Sequence, residues 1–210
     1  MLNNASVRGA VSGVVDPVAR TLLRIGVSPD AVTLVGTVGS SVAALVFFSS
    51  QRWTVGVLVI LAFVFSDLLD GTMARMSGQS GPWGAFLDST LDRVADGAMF
   101  GGIVLGFASA GQLWSSGAAL ACLVGGAVVS YAKARAEGLG VQCNVGIAER
   151  AERLIIAGVA ALLYGLGVPY ALPVALWFLV ALTWFTVGQR IQHVRRELRI
   201  IAVEPPEASA

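Results

Sequence analysis

Asp67-Leu68-Leu69-Asp70-Gly71-Thr72-Met73-Ala74-Arg75 closes one long apolar stretch, and Gly84, Asp88, Asp92 and Asp96 run along the next. Charge inside a bilayer is costly and marks function by default. On a helix, Asp67 and Asp70 stand at i and i+3, while Asp88, Asp92 and Asp96 repeat at i+4, so each set shares a face. Two carboxylate faces on neighbouring helices repel unless cations lie between them, and hard divalent cations take oxygen ligands. A turn between Gly78 and Pro82 folds the second helix back beside the first. Asp67, Asp70, Asp88 and Asp92 can then hold two divalent ions. Two metals about 4 Å apart suit in-line displacement at phosphorus, because they stabilise the entering and the leaving oxygen. Gly71 and Gly84 remove side chains where a helix or a ligand must come close. Arg75 adds fixed positive charge suited to phosphate.

The composition agrees. Of 210 residues, 56% are hydrophobic and 13% charged, with a mean hydropathy of +0.76. A soluble domain is more polar, so the chain reads as an integral membrane protein. The net charge of +1 says nothing about nucleic acid, and with no basic run interleaved with aromatics no nucleic-acid partner is expected. Apolar spans run at roughly 31–50, 53–75, 84–108, 113–136, 151–168 and 170–190, each near the ~20 residues that cross the hydrocarbon core. The expected fold is all-α, with six transmembrane helices over about 31–192 in one domain, 1–210. Ahead of them, residues 5–25 place valines and leucines at helical spacing with Arg8, Asp16, Arg20 and Arg24 between, the pattern of an amphipathic juxtamembrane helix on the membrane surface. Ser28-Pro29-Asp30 starts the next helix. The tail, about 203–210, has a disordered composition. Cys122 and Cys143 lack metal-ligand spacing and read as free thiols.

Six spans leave both termini on one side. Arg8, Arg20, Arg24, Arg75, Lys133, Arg135, Arg150, Arg153, Arg190, Arg195, Arg196 and Arg199 fall at one face, Arg52 at the other, and Arg93 within a helix. The positive-inside rule makes the basic face cytoplasmic. The aspartates lie towards that face, so the site is expected to open to the cytoplasm from the cell membrane.

Asp67, Asp70, Gly71, Ala74, Arg75, Gly84, Asp88 and Asp92 match every fixed position of the signature of the CDP-alcohol phosphotransferase family, which this chain resembles. The resemblance implies a six-helix membrane enzyme, usually a homodimer. It implies two Mg²⁺ or Mn²⁺ ions per site and transfer of a phosphatidyl group from a CDP-linked donor to an alcohol, with release of CMP. It makes Asp67, Asp70, Asp88 and Asp92 metal ligands, and Asp92 also the general base. Gly71, Ala74 and Arg75 belong to the CDP site. Pro29-Asp30-Ala31-Val32-Thr33 is similar to the segment beside the nucleotide, carried by Asp30 and Thr33, and Gly81 is a backbone contact.

The segments Ser130-Tyr131-Ala132-Lys133-Ala134-Arg135-Ala136-Glu137 and Glu149-Arg150-Ala151-Glu152-Arg153-Leu154 resemble the branch that takes CDP-diacylglycerol as donor and inositol 1-phosphate as acceptor. Ser130, Lys133, Arg135, Arg153 and Arg190, with Arg93 as an addition, would then bind the acceptor. A basic pocket suits a phosphorylated acceptor, although topology alone also places basic residues there. Two rivals stand. One has the same chemistry with glycerol 3-phosphate as acceptor. The other is a cation transporter whose intramembrane aspartates bind the transported ion, which would show internal repeats and broken helices at mid-membrane. Asp96 lies outside the signature and reads as a salt bridge to a neighbouring helix. Gly97 with Gly101, and Gly102 with Gly106, permit close helix contact. His193 receives no role.

Overall fold

Where the sequence places Ser28-Pro29-Asp30, the computed structural model begins a helix. Ser28 Oγ accepts the Ala31 N–H at 3.2 Å, and Pro29 occupies the first turn, where its missing N–H costs nothing. The structure describes residues 15–78 and 81–203, without the side chains of 65–68 and 201–203. Its helices are α1 (residues 15–24), α2 (Pro29–Ala43, continued by a π-helical turn, Ala44–Phe48), α3 (Trp53–Ser77), α4 (Pro82–Ser109), α5 (Leu113–Glu137), α6 (Arg150–Gly165) and α7 (Ala171–Val203). No strand occurs among the described residues.

Helices therefore stand at all six expected spans. Among the described residues, four stretches are long and apolar enough to cross a membrane: Pro29–Phe48, Trp53–Ser77, Leu113–Glu137 and Ala171–Ile200. The other two differ for stated reasons. Asp88, Asp92, Arg93 and Asp96 load the first half of α4, and α6 has only 16 residues. The expected surface helix is described from residue 15 onward. Val15 and Ala19 are buried one turn apart while Arg20 and Arg24 are exposed, so this part is one-sided. Residues 1–14 lie outside the description, as do 204–210 of the tail.

The last helix departs from expectation. It was expected to end near residue 190 and runs to Val203. No Gly or Pro interrupts 189–203, and Arg, Gln, Glu and Leu are good helix formers. Apolar content marks where a helix leaves the membrane, not where it stops.

The chain forms two compact units, Met1–Gly102 and Ile103–Ala210. In the first, α2 packs along α3 through small residues. A Cβ at Gly39 would meet the Phe63 ring, and one at Gly56 would come within 2.6 Å of the Phe48 ring. Phe48 is fully buried and stacks on Trp53 at 5.6 Å. A Cβ on Gly102 would stand 2.5 Å from the Ala44 carbonyl oxygen, whereas Gly97 and Gly101 meet nothing within 4 Å. Of the small-residue positions, Gly102 is the one shown in backbone-to-backbone contact. Gly78 closes α3 in the left-handed conformation (φ 69°), its N–H returning to the Ala74 carbonyl.

In the second unit, α5 and α6 both pack on α7. The connection 138–149 is fastened to α7 by its backbone. Thr186 Oγ1 accepts the Ala148 N–H at 3.1 Å, Arg190 Nε donates to the Val145 carbonyl at 2.9 Å, and His193 Nε2 meets the Gln142 carbonyl at 2.9 Å. His193 thus gains a structural contact that its sequence position did not reveal. Cys122 and Cys143 are free, as expected, but both are buried. Cys143 sits in this connection against Ala136 and Val141, so the polar loop covers a small core of its own.

Gly102 and Gly101 supply an internal comparison. Gly102→Ala is expected to lower stability in detergent by about 1–3 kcal/mol through overpacking. Gly101→Ala is expected to leave it unchanged or raise it slightly, since Ala is the better helix former. Thermal unfolding of the two variants checks this.

Candidate active site

Three helix ends bound a cleft of about 380 Å³ in the first unit: the start of α2, the end of α3 and the start of α4. Two side-chain bonds hold them. Thr33 Oγ1, one turn into α2, donates to Asp70 Oδ2 of α3 at 2.6 Å. Trp83 Nε1, in the first turn of α4, donates to Asp30 Oδ2 of α2 at 3.0 Å. Asp30, Thr33, Asp70, Gly71, Ala74, Arg75, Gly81, Gly84 and Asp88 all line the cleft. Residues from positions 30 to 88 are thus brought to one surface, including all six expected at the nucleotide and donor.

The glycines decide an alternative that the sequence left open. A Cβ at Gly84 or Gly81 would meet nothing within 4 Å, and one at Gly71 would meet only Arg75 Nη1 at 3.7 Å. These positions open on the cleft and not on a neighbouring helix. Gly81 also accepts the Ala85 N–H through its carbonyl at 3.3 Å, which makes it the cap of α4. The first N–H groups of a helix have no partner within it and face an anion favourably. The cleft therefore pairs a helix start and Arg75 with three carboxylates, Asp30, Asp70 and Asp88.

The aspartates divide. Asp70 and Asp88 face the cleft. Asp92 and Asp96 follow Asp88 along α4, with Arg93 Nη2 3.7 Å from Asp92 and 3.6 Å from Asp96. The ion pair expected at Asp96 is present, but Arg93 stands on its own helix rather than a neighbouring one. Arg93, suggested for the acceptor, is held in these contacts. The side chain of Asp67 lies outside the described residues. Among those described, no three acidic, His or Cys side chains gather around one point. Asp70 and Asp88 nonetheless present hard oxygen donors to one open space, which fits a hard divalent cation.

The basic residues of the second unit are of two kinds. Arg153 and Arg190 are buried, 2% and 3% exposed. Arg153 Nη1 donates to the Ala148 carbonyl at 3.1 Å, and Arg190 Nη1 to the Val129 carbonyl at 2.6 Å. Arg190 Nη2 is also 3.9 Å from Glu149. Lys133 and Arg135 are more open, with Lys133 3.9 Å from Glu137. Ser130 Oγ donates to the Gly126 carbonyl at 3.0 Å. Trp83 was missed in the sequence. Its only signal was an indole placed directly after Pro82 at a helix start.

The sequence profile of the CDP-alcohol phosphatidyltransferase family matches residues 26–188. The phosphatidylinositol phosphate synthase of Streptomyces avermitilis is 49% identical over 205 residues, covering 94% of this chain and 84% of that protein. That of Cutibacterium acnes is 44% identical over 199 residues, covering 90% and 96%. A crystal structure of Mycobacterium tuberculosis phosphatidylinositol phosphate synthase with CDP-DAG bound has a TM-score of 0.83 at 40% identity, covering 86% of this chain and 93% of that one. The same enzyme in complex with manganese and citrate gives a TM-score of 0.80 at 40% identity, covering 86% and 88%.

If the carboxylates hold a cation, Mg²⁺ or Mn²⁺ is expected to raise the melting temperature of the purified protein by roughly 5–10 °C at a hundred times Kd. Asp88→Asn is expected to remove most of that shift while melting near the wild-type temperature in chelator. An equal shift in both proteins would contradict the assignment.

Proposed function

The chain belongs to the CDP-alcohol phosphatidyltransferase family, and on that premise we propose that it transfers the phosphatidyl group of CDP-diacylglycerol to inositol 1-phosphate, giving phosphatidylinositol phosphate and CMP. The observation that carries this reading is the cleft that gathers Asp30, Thr33, Gly71, Ala74, Arg75, Asp70 and Asp88 between three helix ends. The donor's diphosphate lies against Arg75 and the start of α4, with its nucleotide beside Asp30 and Thr33. Gly71 and Gly84 leave it room.

An inositol hydroxyl attacks the phosphorus that bears the diacylglycerol. The bond from that phosphorus to the CMP oxygen breaks, and CMP leaves. Asp92 takes the hydroxyl proton, so atoms and charge balance. Asp67, Asp70, Asp88 and Asp92 would hold two divalent ions, Mg²⁺ or Mn²⁺, and when bound these neutralise charge on the diphosphate and on the departing CMP. The manganese complex of the Mycobacterium tuberculosis relative supports a divalent requirement.

Lys133, Arg135, Arg153 and Arg190, with Ser130, receive the acceptor's phosphate. Arg153 and Arg190 are also held to backbone carbonyls. A guanidinium carries five N–H donors, so each can fasten the fold and still present N–H groups. The chain works as a multi-pass protein of the cell membrane with six spans, its termini and the cleft on the cytoplasmic side, and as a homodimer. The distribution of basic residues supports the orientation.

A membrane assay that follows CMP release from CDP-diacylglycerol tests this with four acceptors. Inositol 1-phosphate is expected to support turnover, whereas free inositol, glycerol 3-phosphate and serine are expected to support little. Faster turnover with glycerol 3-phosphate would reassign the acceptor. Lys133→Ala is expected to raise the acceptor KM by about ten-fold, the effect of one charge-assisted hydrogen bond, with the donor KM nearly unmoved. Arg195→Ala and Arg196→Ala are expected to change neither.

A further inference from the structure

We propose that Trp83 is a positioning residue for the donor: its indole N–H holds the Asp30 carboxylate in one orientation at the rim of the cleft. This rests on the reading of the cleft as the donor site. Asp30 stands in the first turn of α2 and is exposed. A short exposed side chain there samples several rotamers. The 3.0 Å bond from Trp83 Nε1 selects one of them, engaging Oδ2 and leaving Oδ1 to accept a hydrogen bond from the donor's nucleotide. Because Trp83 belongs to α4 and Asp30 to α2, the same bond sets the spacing of the two helix starts that flank the ligand.

A second contact steadies the indole. The Trp83 and Phe86 rings lie 6.0 Å apart at 32°, and both residues are exposed, at 63% and 60%. An exposed tryptophan near a membrane surface commonly serves as an interfacial anchor. Here the polar end of the ring is aimed at a carboxylate that lines the cleft, a use an anchor does not require. Phenylalanine at position 83 would keep the ring and its contact with Phe86 and lose only the donor.

The test measures binding of CDP-diacylglycerol to the full-length protein in detergent, alongside kcat and KM, for the wild type, Trp83→Phe, Asp30→Ala and the double variant. Trp83→Phe is expected to weaken donor binding about five-fold, the net scale of one ordinary hydrogen bond. Its kcat should stay within about two-fold. In the Asp30→Ala background, which has no oxygen to accept the indole N–H, the same change should add nothing, because coupled residues do not act additively. Trp83→His, which keeps a ring N–H, should restore part of the affinity and decides the matter if Trp83→Phe does not fold. Wild-type affinity in Trp83→Phe overturns the proposal and leaves an interfacial anchor. So do effects of Trp83→Phe and Asp30→Ala that multiply independently, or a loss confined to kcat. If the wild type itself binds no CDP-diacylglycerol, the donor-site reading falls and the proposal falls with it; a wild type that binds beside an unaffected Trp83→Phe sinks the proposal alone.

Discussion

A carboxylate on an apolar helix must share its charge with something, and the first unit is organised around that constraint. Asp70 lies within α3, one of the stretches apolar enough to cross a membrane. Its oxygen is met by the Thr33 hydroxyl at 2.6 Å, and a hydrogen bond to a charged group is worth more than one between neutral groups. For Thr33 to be there, α2 must start where Ser28 caps it and must lie close along α3, which Gly39 and Gly56 allow. Asp88 brings a second negative charge to the same cleft from α4. Like charges in one cleft favour a bound cation, so the same constraint accounts for both the architecture and the chemistry.

Much of this was legible in the chain. The apolar segments' aspartates pointed to the site, and Asp70 and Asp88 do meet at one cleft; the Ser28-Pro29 start was readable from capping rules, and Gly71 and Gly84 stand where no neighbouring helix comes close. The expected site was read as a set of roles. What the sequence could not convey was pairing between distant residues. The bond from Trp83 to Asp30 joins positions 53 residues apart, and no local pattern signals it. The end of α7 was misjudged for a related reason, because hydropathy reports a membrane boundary and not a helix end.

Arginine burial is the second point the sequence hid. Basic residues at span ends read equally as topology signals and as ligands. Arg153 and Arg190 prove to be buried, their N–H groups spent in part on the carbonyls of Ala148, Val145 and Val129. Buried carbonyls left without a donor are costly, so loss of either arginine would disturb the connection 138–149 as well as any phosphate it holds. Lys133 and Arg135 are more exposed and therefore report on binding more cleanly.

The central claim is that the cleft between the starts of α2 and α4 and the end of α3 is kept open for the CDP-linked donor. Gly84 tests it most directly, because a side chain there would touch no protein atom within 4 Å of its Cβ yet would project into the cleft. Binding of CDP-diacylglycerol to Gly84→Leu should be lost while its melting temperature stays at the wild-type value. Full donor binding in that variant would mean that the donor lies elsewhere.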